Sequence, residues 1–133
     1  MTLLDATPPR PPGHVGRYVL VFLAVAVVGG ASYALLRNVP EERILAHFLT
    51  ALEQGDYHQA YQLWQPAPTY SYEDFLHDWG AQGDYGKIRS FKILGSRSKG
   101  SRTVIVTVVI NGEEPARDLV VDRDTKGLAF SPF

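Results

Sequence analysis

The chain contains no cysteine. Disulfides, thiolate nucleophiles and cysteine-ligated zinc or iron–sulfur centres are therefore excluded, while the compartment stays open, because a lack of cysteine suits either side of a membrane. Charge of one sign is also missing in bulk. The formal net charge is −1, which gives no warrant for a nucleic-acid or polyanion binder. Catalytic signatures are absent too. His47, His58 and His77 stand close in sequence to Asp56, Asp74 and Asp78, but no HExxH or other paired ligand spacing occurs. The neighbours His77 and Asp78 are not expected to share a helix face. Asp122-Arg123-Asp124 lacks the distal glutamate of a calcium loop and reads as a turn. We expect no catalytic, cofactor-binding or metal-ligating residue, and no cofactor.

What the chain does have is one long run without charge. Tyr18–Leu36, YVLVFLAVAVVGGASYALL, covers 19 residues between Arg17 and Arg37. As a helix it is about 28 Å long, close to the roughly 30 Å hydrocarbon core of a bilayer. Tyr18 and Tyr33 fall near its ends, close to headgroup depth. Gly29, Gly30, Ala31 and Ser32 form a small-residue patch where a second helix can dock. The reading is a single transmembrane helix over residues 18–37. Its rival is a cleaved signal peptide with VLVFLAVAVV as the apolar stretch and a cut before Ser32; the run continues through SYALL, which favours the anchor. Arg10 and Arg17 before the span balance Arg37 and Arg43 after it, so the positive-inside rule is tied. The short leading segment tips the choice towards an inside N-terminus, with the domain on the periplasmic side of a bacterial inner membrane. Residues 1–17 hold four prolines and two glycines, which favour extended geometry without a buried face. They form either a disordered tail or a segment ordered along a partner.

Residues 38–133 read as one domain. Pro40, Glu41 and Glu42 suit the first turn of a helix that continues through Ile44, Leu45, Phe48, Leu49 and Leu52. Gly55 ends it and Asp56 caps the next, which sets Tyr57, Tyr61 and Trp64 in a row before Pro66 and Pro68. Ser71 and Asp74 form a capping-box pattern ahead of Tyr72, Phe75, Leu76 and Trp79. Beyond Gly80, Gly83 and Gly86 the period changes. SFKILGS, TVIVTVVI, ARDLVVD and GLAFSPF read as strands, with Asn111-Gly112 a hairpin turn and DRDTKG a second turn. Three helices followed by about four antiparallel strands is an α+β layout in which each layer buries one apolar face.

The Gly55-Asp56-Tyr57 corner, the Ala60-Tyr61 pair behind it and the closing GLAFSPF strand resemble the nuclear-transport-factor-2-like (cystatin-like) superfamily, most of all its small membrane-anchored bacterial members of unassigned function. The resemblance covers about residues 41–133. It implies a curved sheet wrapped by helices into a cone, often with a hydrophobic cavity, in a superfamily that holds isomerases and dehydratases, ligand binders and assembly domains. Tyr61, Trp64, Phe75 and Trp79 are the candidate lining of an apolar cavity, or else packed core. From Tyr85 to Gly112 there are six basic residues and no acidic one. Arg97, Lys99 and Arg102 are the candidate contact surface for anionic headgroups or an acidic partner, or else guards of a sheet edge. Three functions follow in order. The first is a non-catalytic accessory or scaffold subunit that braces a larger membrane complex, with lipid and other transmembrane subunits as partners. The second is an anchored binding module for a lipid or other apolar ligand, and the third an isomerase- or dehydratase-type enzyme. Nucleic acid is not among the expected partners.

Overall fold

The computed structural model describes Gly13–Phe133, so residues 1–12 of the Pro-rich tail lie outside the described residues. The chain separates into two compact units between Arg37 and Asn38. The first holds the 23-residue helix α1, His14–Leu36, which is apolar all round from Tyr18 onward and buries nothing within the chain. It is long and apolar enough to cross a membrane. It begins at His14 rather than Tyr18, so the last residues assigned to the tail are helical.

The second unit carries three helices and then four strands: α2 (Val39–Glu53), α3 (Tyr57–Trp64), α4 (Tyr72–Trp79), β1 (Phe91–Lys99), β2 (Thr103–Ile110), β3 (Glu113–Asp122) and β4 (Leu128–Phe130). Local chemistry sets the boundaries. Gly55, at φ 73°, supplies the left-handed turn between α2 and α3. The Asp56 carboxylate then accepts from the Gln59 N–H at 3.3 Å. At α4 the capping box is reciprocal: the Asp74 N–H donates to Ser71 Oγ and the Ser71 N–H to Asp74 Oδ2, each at 3.0 Å. A Cβ on Gly83 would sit 2.6 Å from the His77 carbonyl oxygen, so only glycine lets this loop close over the end of α4.

The strands form an open antiparallel sheet in the order β1-β2-β3-β4. Asn111 and Gly112, at φ 55° and 68°, make the two-residue β2–β3 hairpin. Cross-strand partners share a face. The inner face carries Val104, Val106, Val108, Leu119 and Val121, which join Leu45, Phe48, Leu49 and Phe75 of the helices in one core. An irregularity between Ile93 and Gly95 shifts the register of β1. Phe91 and Ile93 face inward before it; Ser96 and Ser98 face inward after it. Three elements differ from expectation. β1 runs on to Lys99, past SFKILGS. β3 begins at Glu113, ahead of ARDLVVD, because a two-residue turn leaves no loop before it. β4 spans only Leu128–Phe130, shorter than GLAFSPF.

Candidate functional site

The aromatic side chains of α2, α3 and α4 converge on the inner end of β4. Trp79, 1% exposed, stacks on Tyr85 at 4.5 Å and on Phe130 at 5.5 Å, and meets the Phe48 ring edge-on at 5.1 Å. Phe75 is fully buried. The half-buried Tyr61 packs on Phe75 and donates its hydroxyl to the Tyr70 carbonyl at 2.7 Å. Three of the four candidate cavity residues thus fill the core. The fourth, Trp64, also lines a surface groove of about 360 Å³ with Gln65, Ala67, Tyr70, Leu128 and Phe130. Phe130, 38% exposed, forms its floor against Trp64 at 5.0 Å. At one end of the groove the Tyr70 hydroxyl donates to Asp78 Oδ2 at 2.5 Å. Burial and this carboxylate push the Tyr70 hydroxyl pKa well above the usual tyrosine range, so Tyr70 acts only as a neutral donor.

A second constellation lies where the first turn of α2 meets the ends of β1 and β3. Glu41, 2% exposed, accepts on Oε1 from Lys126 Nζ at 3.0 Å and from the Arg123 guanidinium at 3.4 Å. Arg123 also donates to Asn38 Oδ1 at 2.5 Å and to Ser98 Oγ at 2.9 Å. Ser98 donates to Asn38 at 3.1 Å, and Ser96 donates to Glu42. Burial raises the Glu41 pKa, but the Lys126 hydrogen bond and the charges of Lys126 and Arg123 prevail and hold it below its ordinary 4.5. Glu41 is therefore a buried, ionised strut. Sequence reasoning treated Glu41 as a helix-dipole partner and Arg123 and Lys126 as turn residues. Contacts across 82 and 85 positions leave no local pattern to read.

The candidate basic surface is engaged within its own domain. Arg97 bridges Asp118 at 2.9 Å, and Arg102 bridges Asp124 at 2.8 Å. The Lys99 ammonium lies 2.9 Å from the centroid of the Phe133 ring. On α1, Gly29 lines a shallow apolar concavity of about 380 Å³ with Ala24, Val25 and Val28. A Cβ on Gly29 or Gly30 would meet no described atom within 4 Å; Ala31 and Ser32 continue this exposed stretch. His77 and Asp78 approach, Nδ1 to Oδ1 at 3.8 Å, in the last turn of α4, where the Asp84 N–H bonds the His77 carbonyl. The ligand atoms of His77, Asp78 and Asp84 come within 4.8 Å of one another. Asp78 is already committed to Tyr70, and His77 and Asp84 are exposed.

With this geometry in hand, comparison with known proteins adds no relative: no family model, curated protein or solved structure matches the chain.

Proposed function

We propose that the chain is a single-pass, non-catalytic accessory subunit that braces a larger membrane protein complex. The observation that carries this reading is the pairing of α1, a 23-residue, largely apolar helix that buries nothing within the chain, with a small domain whose helix aromatics Phe48, Phe75 and Trp79 are packed into its own core. An apolar helix with the exposed glycines Gly29 and Gly30 can pack against other transmembrane helices. The buried carboxylate, Glu41, is held ionised between two cations, which suits a strut rather than a proton-transfer group. On this reading α1 anchors the chain in a bacterial inner membrane with the domain on the periplasmic side. The helices and sheet then form the cone of a nuclear-transport-factor-2-like domain used for assembly.

The test is extraction in mild detergent followed by native size separation and mass spectrometry of whatever co-migrates. Travel with a large complex at fixed stoichiometry is expected. A chain that runs alone as monomer or dimer overturns the reading.

A further inference from the structure

The groove beside Trp64 borders a free strand edge. The Asp122 N–H bonds the Gly127 carbonyl and the Lys126 N–H bonds the Asp122 carbonyl. The ladder that follows makes Val120 and Ala129 the hydrogen-bonded pair, and it turns the N–H and C=O groups of Leu128 and Phe130 away from β3. No described strand pairs with that edge. The other free edge, β1, is guarded by Lys92, Arg97 and Lys99 and by the register shift after Ile93; β4 has none of these guards. The helical side of the groove carries charge of one sign, whereas Arg117 and Lys126 lie near β4 on the sheet side. Ile44 to Gly86, which supplies the facing wall of the groove, holds six carboxylates and no lysine or arginine, and Asp78 is tied to the groove through Tyr70.

We infer that this groove receives an extended segment of a partner protein as a fifth strand beside Leu128–Phe130, with an apolar side chain laid over the touching rings of Trp64 and Phe130 and a lysine or arginine directed at Asp78. The inference rests on the accessory-subunit reading and names the chemistry of the partner at one surface. Main-chain bonds to the edge give affinity, and the alternating pocket and carboxylate give selectivity. A lipid chain can fill the apolar floor but leaves the backbone groups of the edge unbonded.

The test is a titration of the ¹⁵N-labelled full chain in dodecyl maltoside micelles with acetyl-Lys-Val-Phe-Val-Lys-amide, and with its counterpart carrying glutamate at both ends. The Leu128 and Phe130 amides are expected to shift and to exchange about tenfold more slowly at saturation, as newly bonded strand amides do. At low salt the lysine peptide should bind about two- to fivefold more tightly than the glutamate one, the size of an exposed ion pair. Asp78→Asn, which keeps an acceptor for Tyr70, should abolish that preference. Three results overturn the proposal: unmoved Leu128 and Phe130 amides at about 1 mM peptide, equal binding of the two peptides, or octanol moving the Trp64 indole resonance where the peptide does not. Co-migration decides the subunit reading separately. A chain that joins a complex but ignores the peptide loses only the groove; one that takes the peptide but runs alone loses only the subunit assignment.

Discussion

On the inner face of the sheet Val104, Val106 and Val108 share one core with Phe48, Phe75 and Trp79 of the helices, whereas on the outer face Arg97, Thr107 and Asp118 form a polar ladder across β1, β2 and β3. The difference separates stability from availability. Apolar burial contributes roughly 25 cal/mol per Å² removed from water, while exposed ion pairs contribute about 0–1 kcal/mol each. The inner face therefore holds the domain together, and the outer face is held loosely enough to meet something else. The largest effect should follow from Phe48→Ala, since Phe48 contacts Trp64, Phe75 and Trp79 at once. Removing it should cost about 3–5 kcal/mol, read as a fall in the urea midpoint of the full chain in detergent. A cost below about 1 kcal/mol would mean that the helices are not the main support of the sheet.

Ile105 tests whether the outer face is polar throughout. Its partners Arg97 and Val120 place it outward, yet it is only 2% exposed. Ile105→Ala should cost about 2 kcal/mol, at the low end for a buried aliphatic, because its neighbours can settle into the gap. A cost equal to that of Phe48→Ala would make the outer face a second core and collapse the distinction. Val109, half-buried on the same face, supplies the control, and Val109→Ala should cost less.

The inner face has its own exception at the end nearest α2, where Ser96 and Ser98 point inward and bond Glu42 and Asn38. Glu41 is the charged member of that polar end. Its folded pKa lies below the unfolded value, so its contribution is present above the unfolded pKa and lost as pH falls through the folded one. Glu41→Gln should cost about 1–2 kcal/mol at pH 7, less than a fully sealed pair because Arg123 and Lys126 keep some water. The difference from wild type should shrink as pH falls from about 5 to about 3. Asp74, Asp118 and Asp122, also lowered, titrate in both proteins and cancel in the comparison. A difference that stays constant with pH would show that Glu41 acts by shape alone.

How much of this was legible beforehand depended on how far apart the partners lie. The Asp56 and Ser71 caps and the Asn111-Gly112 turn involve neighbours within three residues, and each is present as the pattern implied. The segregated α+β order followed from the change of hydrophobic period after Gly86. The short β4 was harder, because Pro132 speaks against pairing while GLAF speaks for it. The candidate site divided along the same line. Tyr61, Trp64, Phe75 and Trp79 were visible as an aromatic set, but whether four rings line a hollow or fill it depends on Phe130 and Tyr85, which arrive from later in the chain. The Glu41, Arg123 and Asn38 cluster left no local trace.

The smallest effect is the most informative about the outer face. Arg97 and Asp118 meet at 2.9 Å with side chains 56% and 28% exposed, and Asp118 also accepts from Thr107 Oγ1 at 2.6 Å. The Thr107 and Arg97 hydrogen bonds hold the Asp118 pKa below its ordinary 3.8. Removing Arg97 leaves Asp118 with its hydroxyl partner and with water, so no buried charge is orphaned. Arg97→Ala should therefore cost less than about 1 kcal/mol, and the difference should fade in about 0.5 M salt, where screening is short-ranged. Thr107→Val removes the partner that salt does not screen and should retain its cost at both salt concentrations. If Arg97→Ala proves the costlier of the two at high salt, the ladder is an interior feature and the face is not free for a partner.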